Sequence, residues 1–234
     1  LPSLRSIFGG GKKTETLDGF NIIDGELVPI SHRIFRDQPR RLMRVFLHAQ
    51  QRGLEFHPDL TQLLRDNVSL VDDDFVHDTE NHETFLEILN QRGNVAPALR
   101  AMHEVDLLGR YIPEFGRMTC LVQHEFFHAY AADEHTLVCL ERLDQVWDAA
   151  QPPFAHYTHI LQDIDLPYLL YLALFLHDAG KGMESGDHVK DGTVVCQKVG
   201  ERLGLTPRRL ARLKFLVEHH LLMAEVSQRR DIDS

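Results

Sequence analysis

Only 3 of the 234 residues are cysteine, 1 is tryptophan, and the longest apolar run is the nine residues of 168–176. A membrane-spanning helix needs about 20 apolar residues in a row, so no segment is expected to cross a bilayer and no membrane partner is expected. Cys120, Cys139 and Cys196 are odd in number and share no short spacing, which argues against a disulfide framework and against a thiolate zinc site. Reduced core thiols are the expectation. Positive charge is also in deficit: 25 Lys and Arg against 35 Asp and Glu leave a net charge of -10. Such a surface repels a polyanion, and nucleic acid is not an expected partner. The first residues, Leu1-Pro2-Ser3-Leu4-Arg5, lack both an initiator Met and the apolar stretch of a signal peptide. A cytoplasmic piece of a longer chain is expected.

With 43% hydrophobic and 26% charged residues, the composition is that of a folded globular protein. From residue 39 apolar side chains recur at helical intervals: Leu42, Val45, Phe46 and Ala49, then Leu60, Leu63 and Leu64, then Phe85, Ile88 and Leu89. The same periodicity predicts helices over 97–108, 119–148, 167–178 and 208–227, with Pro113-Glu114-Phe115-Gly116 as a turn. Pro167 suits a first helical turn, and Gly180 is placed to end that helix. Asp72-Asp73-Asp74 reads as a solvated loop between helices. Residues 1–30, with Gly9-Gly10-Gly11, Gly19 and Gly25, read as a loop followed by short extended pieces. The string Gly11-Lys12-Lys13-Thr14 lacks the Gly that a phosphate loop needs five positions earlier, where Ser6 stands. Strand alternation is nearly absent after residue 35, and the predicted class is all-α.

Histidine is the residue in excess, with 15 copies, or about one in sixteen. Imidazole is the commonest metal ligand, so the positions matter. One cluster is His124-Glu125-Phe126-Phe127-His128, the H-E-x-x-H of a helical zinc protease, but Ala131 stands where the extended form has Gly. The other is spread along the chain: His135, the doublet His177-Asp178, His188, the pair His219-His220, and Asp231. The doublet closes the apolar run, where a buried His and Asp are costly without partners, and a metal is one such partner. Taken singly, His177 also fits a hydrogen-bonded core histidine and Lys181 a cation at a helix end. Periodicity does not choose between His219 and His220.

The ordered pattern H, H-D, H, H, D resembles the HD superfamily of metal-dependent phosphohydrolases. The strings Tyr111-Ile112-Pro113-Glu114-Phe115-Gly116-Arg117, Phe127-His128-Ala129-Tyr130, Asp133-Glu134-His135-Thr136-Leu137, Leu176-His177-Asp178-Ala179-Gly180-Lys181-Gly182, Gly186-Asp187-His188, His220-Leu221-Leu222-Met223 and Gln228-Arg229-Arg230-Asp231 are similar to blocks of one family. It is the family of bifunctional uridylyltransferase/uridylyl-removing enzymes that modify the PII nitrogen-signalling protein. The resemblance implies a helical region over 1–116 followed by an HD-type bundle over 117–234. It makes His135, His177, Asp178 and Asp231 ligands of a first divalent ion, with Asp178 bridging to a second held by His188 and His220. Mn2+, Mg2+, Fe2+ and Zn2+ all suit such ligands. Lys181, Arg229 and Arg230 become candidate contacts to a substrate phosphate, with Lys181 also a candidate proton relay. The implied activity is removal of UMP from uridylylated PII, without nucleotidyl transfer by these residues. A silent HD regulatory module, a generic HD nucleotide hydrolase and the zinc protease of His124 and His128 remain as alternatives. Arg33, Arg36, Arg40, Arg41 and Arg44 offer a candidate basic face toward PII, although a solvated helix face accounts for them as well.

Overall fold

Asp18-Gly19 and Asp24-Gly25 have φ of 49°, 88°, 53° and 88°, the left-handed pairs that two-residue hairpin turns require. In the computed structural model, which describes residues 15–119, 131–182 and 188–222, these turns fold β1 (Glu15–Leu17), β2 (Phe20–Ile23) and β3 (Glu26–Pro29) into an antiparallel meander. Leu17 lies opposite Phe20, and Ile23 opposite Glu26. The expected extended pieces are therefore a sheet. A further strand, β4 (Glu55–Phe56), pairs parallel with β3. It falls in the region read as purely helical, and two residues are too few to show alternation.

The rest is mostly helical, as the sequence predicts. A short helix α1 (Ile34–Asp37) leads into α2 (Arg41–Arg52), which ends on left-handed Gly53. In α3 (Pro58–Asn67) proline opens the helix and His57 accepts a hydrogen bond from the Asp59 N–H. Asp72 and Asp78 cap α4 (Asp73–Val76) and α5 (Thr79–Leu89) by accepting the N–H groups of Phe75 and Asn81. The acidic stretch is thus a cap and a first helical turn rather than a loop, because carboxylates at a helix start satisfy its free N–H groups. The helix expected over 97–108 breaks at Asp106, where φ is 62°, into α6 (Ala96–Glu104) and α7 (Leu107–Tyr111). Pro113 then starts one helical turn, α8 (Pro113–Gly116).

Beyond lie α9 (Ala132–Trp147), α10 (Ala155–Gln162), α11 (Pro167–Leu176), α12 (His188–Arg202) and α13 (Pro207–Glu218). The expected helix over 119–148 is described only from residue 131, and the one over 208–227 only to residue 222, past the end of α13. Neither α10 nor α12 is anticipated from periodicity. Pro167 opens α11 as expected, but the helix ends before Gly180, passing into a tight helical turn, Ala179–Gly182. No single helix among the described residues is long and apolar enough to cross a membrane.

The core is organised around α11, which buries eight of its ten residues and packs against α5, α9, α12 and α13. Phe175 stacks on Phe115 at 4.7 Å and meets Phe85 edge-on at 6.4 Å, so the apolar core runs across residue 116. Two polar ties lock this arrangement. The Tyr171 hydroxyl donates to Asp144 at 2.6 Å, and the same carboxylate accepts the Val95 and Ala96 N–H groups at the start of α6. Arg202 of α12 donates to Glu114 of α8 at 2.7 Å in a largely buried ion pair. Burial alone would raise the Glu114 carboxyl, but Arg202, with a backbone N–H and Arg117, holds the group below the usual carboxylate range.

The candidate basic face is mostly neutralised. Arg41 and Arg44 donate to Asp18 at 3.2 and 2.9 Å, Arg40 to Asp78 at 2.6 Å and to Glu80, and Arg33 to Asp37 at 3.3 Å. The arginines fasten α2 to the first hairpin and to α5, which removes the basis for reading them as an open cationic surface.

Asp144→Ala strands three donors at once and should cost about 2–4 kcal/mol of stability in urea unfolding, against about 1 kcal/mol for Tyr171→Phe.

Candidate metal centre

An apolar helix is forced inward by its own composition, and whatever follows it is carried along. Here that is His177-Asp178, with side chains 10% and 5% exposed. The His177 Nδ1–H donates to the Leu174 carbonyl at 2.6 Å, since a carbonyl can only accept. The neutral ring then keeps its lone pair on Nε2, which lies 3.4 Å from Asp178 Oδ2. Burial drives the His177 imidazole below its ordinary pKa, against the pull of Asp178.

Asp178 gathers the remaining groups. Lys181, one turn on, donates from Nζ to Oδ2 at 3.0 Å, and His135 Nε2 of α9 lies 4.0 Å from the same oxygen. Burial by itself would raise the carboxyl, but His177, Lys181 and His135 together hold it below the usual carboxylate range. From the turn after α13 comes His220, with its ring 5.4 Å from that of His177 and its Nδ1–H given to the Val217 carbonyl at 2.6 Å. His219 points elsewhere: it is exposed and stacks on Phe215 at 4.4 Å. The structure thus separates the two histidines that periodicity left equal.

This donor set fits a divalent ion. Two N or O ligands at about 2.1 Å from one ion stand at most about 4.2 Å apart, and the separations of 3.4 and 4.0 Å fall inside that limit. Carbonyl-bonded Nδ1 atoms are the usual device that fixes a ligating imidazole with Nε2 forward. The donors could supply an ionised carboxylate and imidazole lone pairs to an ion, with Lys181 as a neighbouring cation.

Residues 20–111, from β2 through α7, match the sequence family described as uridylyltransferase GlnD third domain. Over 234 residues, 99% of this chain, the sequence is 33% identical to a bifunctional uridylyltransferase/uridylyl-removing enzyme of Cereibacter sphaeroides and 34% identical to one of that name from Ruegeria pomeroyi. Both likenesses support the GlnD family. The chain spans about a quarter of the length of these relatives, 25% in each case.

Within the string Asp133-Glu134-His135 the three side chains divide their work. Glu134 receives two hydrogen bonds from Arg100 of α6, at 3.0 and 3.1 Å, and Asp133 lies 3.4 Å from His103. These contacts set α9 against the helical region, and the opposite side of the helix turns His135 toward α11. Of the residues singled out from sequence, His135, His177, Asp178, Lys181 and His220 come together. His188 is the first residue of α12, which packs on the turn carrying Lys181. His124, His128, Arg229, Arg230 and Asp231 lie outside the described residues, as does the string 11–14. Sequence reasoning passed over Cys139, expected to be a core thiol. It sits one turn beyond His135 with Sγ 3.6 Å from that ring's Nε2, and the four-residue spacing was the available signal. Burial, then Asp178, pushes its thiol pKa up. Cys196 is fully buried, its pKa pushed up to about 12, as a core thiol should be.

Removing Lys181 leaves a buried carboxylate short of its cation. Lys181→Met should destabilise the metal-free chain by about 1–3 kcal/mol in urea unfolding, and Asp178→Asn in the same chain should restore most of that loss.

Proposed function

We propose that this chain hydrolyses a phosphodiester with the aid of a divalent ion, releasing UMP from a uridylylated tyrosine of a PII-type signalling protein in the bacterial cytoplasm. The observation that carries the reading is the convergence of His135 and His177 on the buried Asp178, with His220 packed on the His177 ring and Nδ1 of His177 and of His220 held by carbonyls. Similarity to relatives named as uridylyl-removing enzymes supports the substrate. In this reading the stretch up to residue 116, mainly helical but carrying the small sheet of β1 to β4, leads into an HD-type domain over 117–234.

His135, His177, Asp178 and Asp231 would hold one ion, and His188 and His220 a second that shares Asp178. Mn2+, Mg2+, Fe2+ and Zn2+ are the candidates. Those residues would thereby acquire a Lewis acid, which when bound would lower the pKa of a water toward about 7 and offset phosphate charge. The chain's own groups do the rest. The two Nδ1 hydrogen bonds hold the His177 and His220 rings in place, so that they need no reorganisation on binding. Lys181, tethered to Asp178, places an ammonium where phosphate oxygens gather charge, or returns a proton. Arg229 and Arg230 would grip the same phosphate from beside Asp231. Tyrosine's pKa of about 10 makes its phenolate a fair leaving group, so a strong general acid is not demanded.

Incubating the chain with uridylylated PII and Mn2+ should release UMP faster than it hydrolyses bis(p-nitrophenyl) phosphate or free nucleotides. Asp178→Ala should lower that rate by more than about a hundredfold and reduce metal content in parallel. Faster turnover of nucleotides would mark a generic hydrolase, and silence with metal bound a regulatory module. With UTP and unmodified PII no uridylyl-PII should form.

A further inference from the structure

We propose that Cys139 is a donor to the ion held by His135 and His177, and that it tunes this centre toward thiophilic ions such as Zn2+ over Mn2+ or Mg2+. The inference rests on the metal centre proposed above and adds a residue that the family resemblance leaves out.

Cys139 and His135 are four apart on α9 and share the side of the helix that meets α11. The ligand atoms of His135, Cys139 and His177 all lie within 4.8 Å of one another. A sulfur at about 2.3 Å and a nitrogen at about 2.1 Å from a tetrahedral ion stand about 3.6 Å apart. The observed separation of Cys139 Sγ from His135 Nε2 is 3.6 Å. With Asp178 Oδ2 3.4 Å from His177 Nε2, the donors become two imidazoles, a carboxylate and a thiol. Nitrogen and sulfur suit Zn2+ and Co2+, whereas Mg2+ and Mn2+ prefer oxygen. Binding breaks the S–H bond, forms a sulfur–metal bond and releases the proton to solvent. The competing account of the same distance is a weak S–H hydrogen bond to His135, which makes no demand on the metal.

Co2+ separates the two accounts, because only a bound thiolate gives a sulfur-to-cobalt charge-transfer band in the near ultraviolet. The whole 234-residue chain titrated with Co2+ should show the band. Cys139→Ala and Cys139→Ser should both lose it while still binding Co2+, and Cys120→Ala and Cys196→Ala should keep it. In competition titrations Cys139→Ala should weaken Zn2+ by about a hundredfold and change Mn2+ by less than about threefold. The serine variant, nearly isosteric, keeps the comparison valid should alanine loosen the packing, with circular dichroism as the check. Co2+ bound without the band in the unaltered chain, or a band that survives in Cys139→Ser, would overturn the role of Cys139 and leave the metal centre standing. No Co2+ bound to the unaltered chain would overturn the metal centre as well.

Discussion

Helix α11 carries no charged residue and buries eight of its ten positions, so it has to lie at the middle of the helices that surround it. That requirement takes His177 and Asp178 inside at its C-terminal end, where an ionised carboxylate is unfavourable unless its neighbours compensate. The positions of Lys181 and His135 answer that need, and His220 packs on the His177 ring beside them. Each reaches the doublet from a different element, and the elements themselves are held there by packing on α11.

The compensation is uneven in a way that suits chemistry. His177, Lys181 and His135 hold the Asp178 carboxyl below its usual range, while burial pushes the His177 imidazole down and its Nδ1–H is taken up by Leu174. A site with a ready anion and an unprotonated Nε2 is prepared for a cation, at a cost in desolvation that the core of α11 offsets. The same trade runs through the wider structure. Asp144 joins α6, α9 and α11 through one carboxylate, and Glu114 with Arg202 joins α8 to α12. These ties make the helical region before residue 116 part of what positions the centre. Arg100 on Glu134 does the same for α9 and therefore for His135.

Charge in the first half of the chain serves architecture. Five arginines between residues 33 and 44 look like a binding face when read in line. Asp18, Asp37, Asp78 and Glu80 meet four of them, and Asp18 alone draws Arg41, Arg44 and His48 to the hairpin. An acidic chain can thus be rich in local ion pairs without presenting a cationic surface.

Local composition was enough to reveal the helical class, the amphipathic faces of α2, α3 and α5, the proline start of α11 and the polar doublet at its end, because these depend on spacing of a few residues. The hairpins were also within reach, since Asp-Gly between short apolar pieces carries its own backbone preference. Other features depended on groups far apart in sequence. Asp106 breaks a helix that reads as continuous, and β4 exists only because β3 offers it an edge. His220 faces the centre while His219 does not, a matter of how α13 meets α11 and then turns. Cys139 has nothing in its own neighbourhood to set it apart from a core thiol until α9 lays it, with His135, against His177. Sequence determined which groups were available, and tertiary packing decided which of them share one low-dielectric space, because a side chain's protonation and ligating capacity follow from what surrounds it.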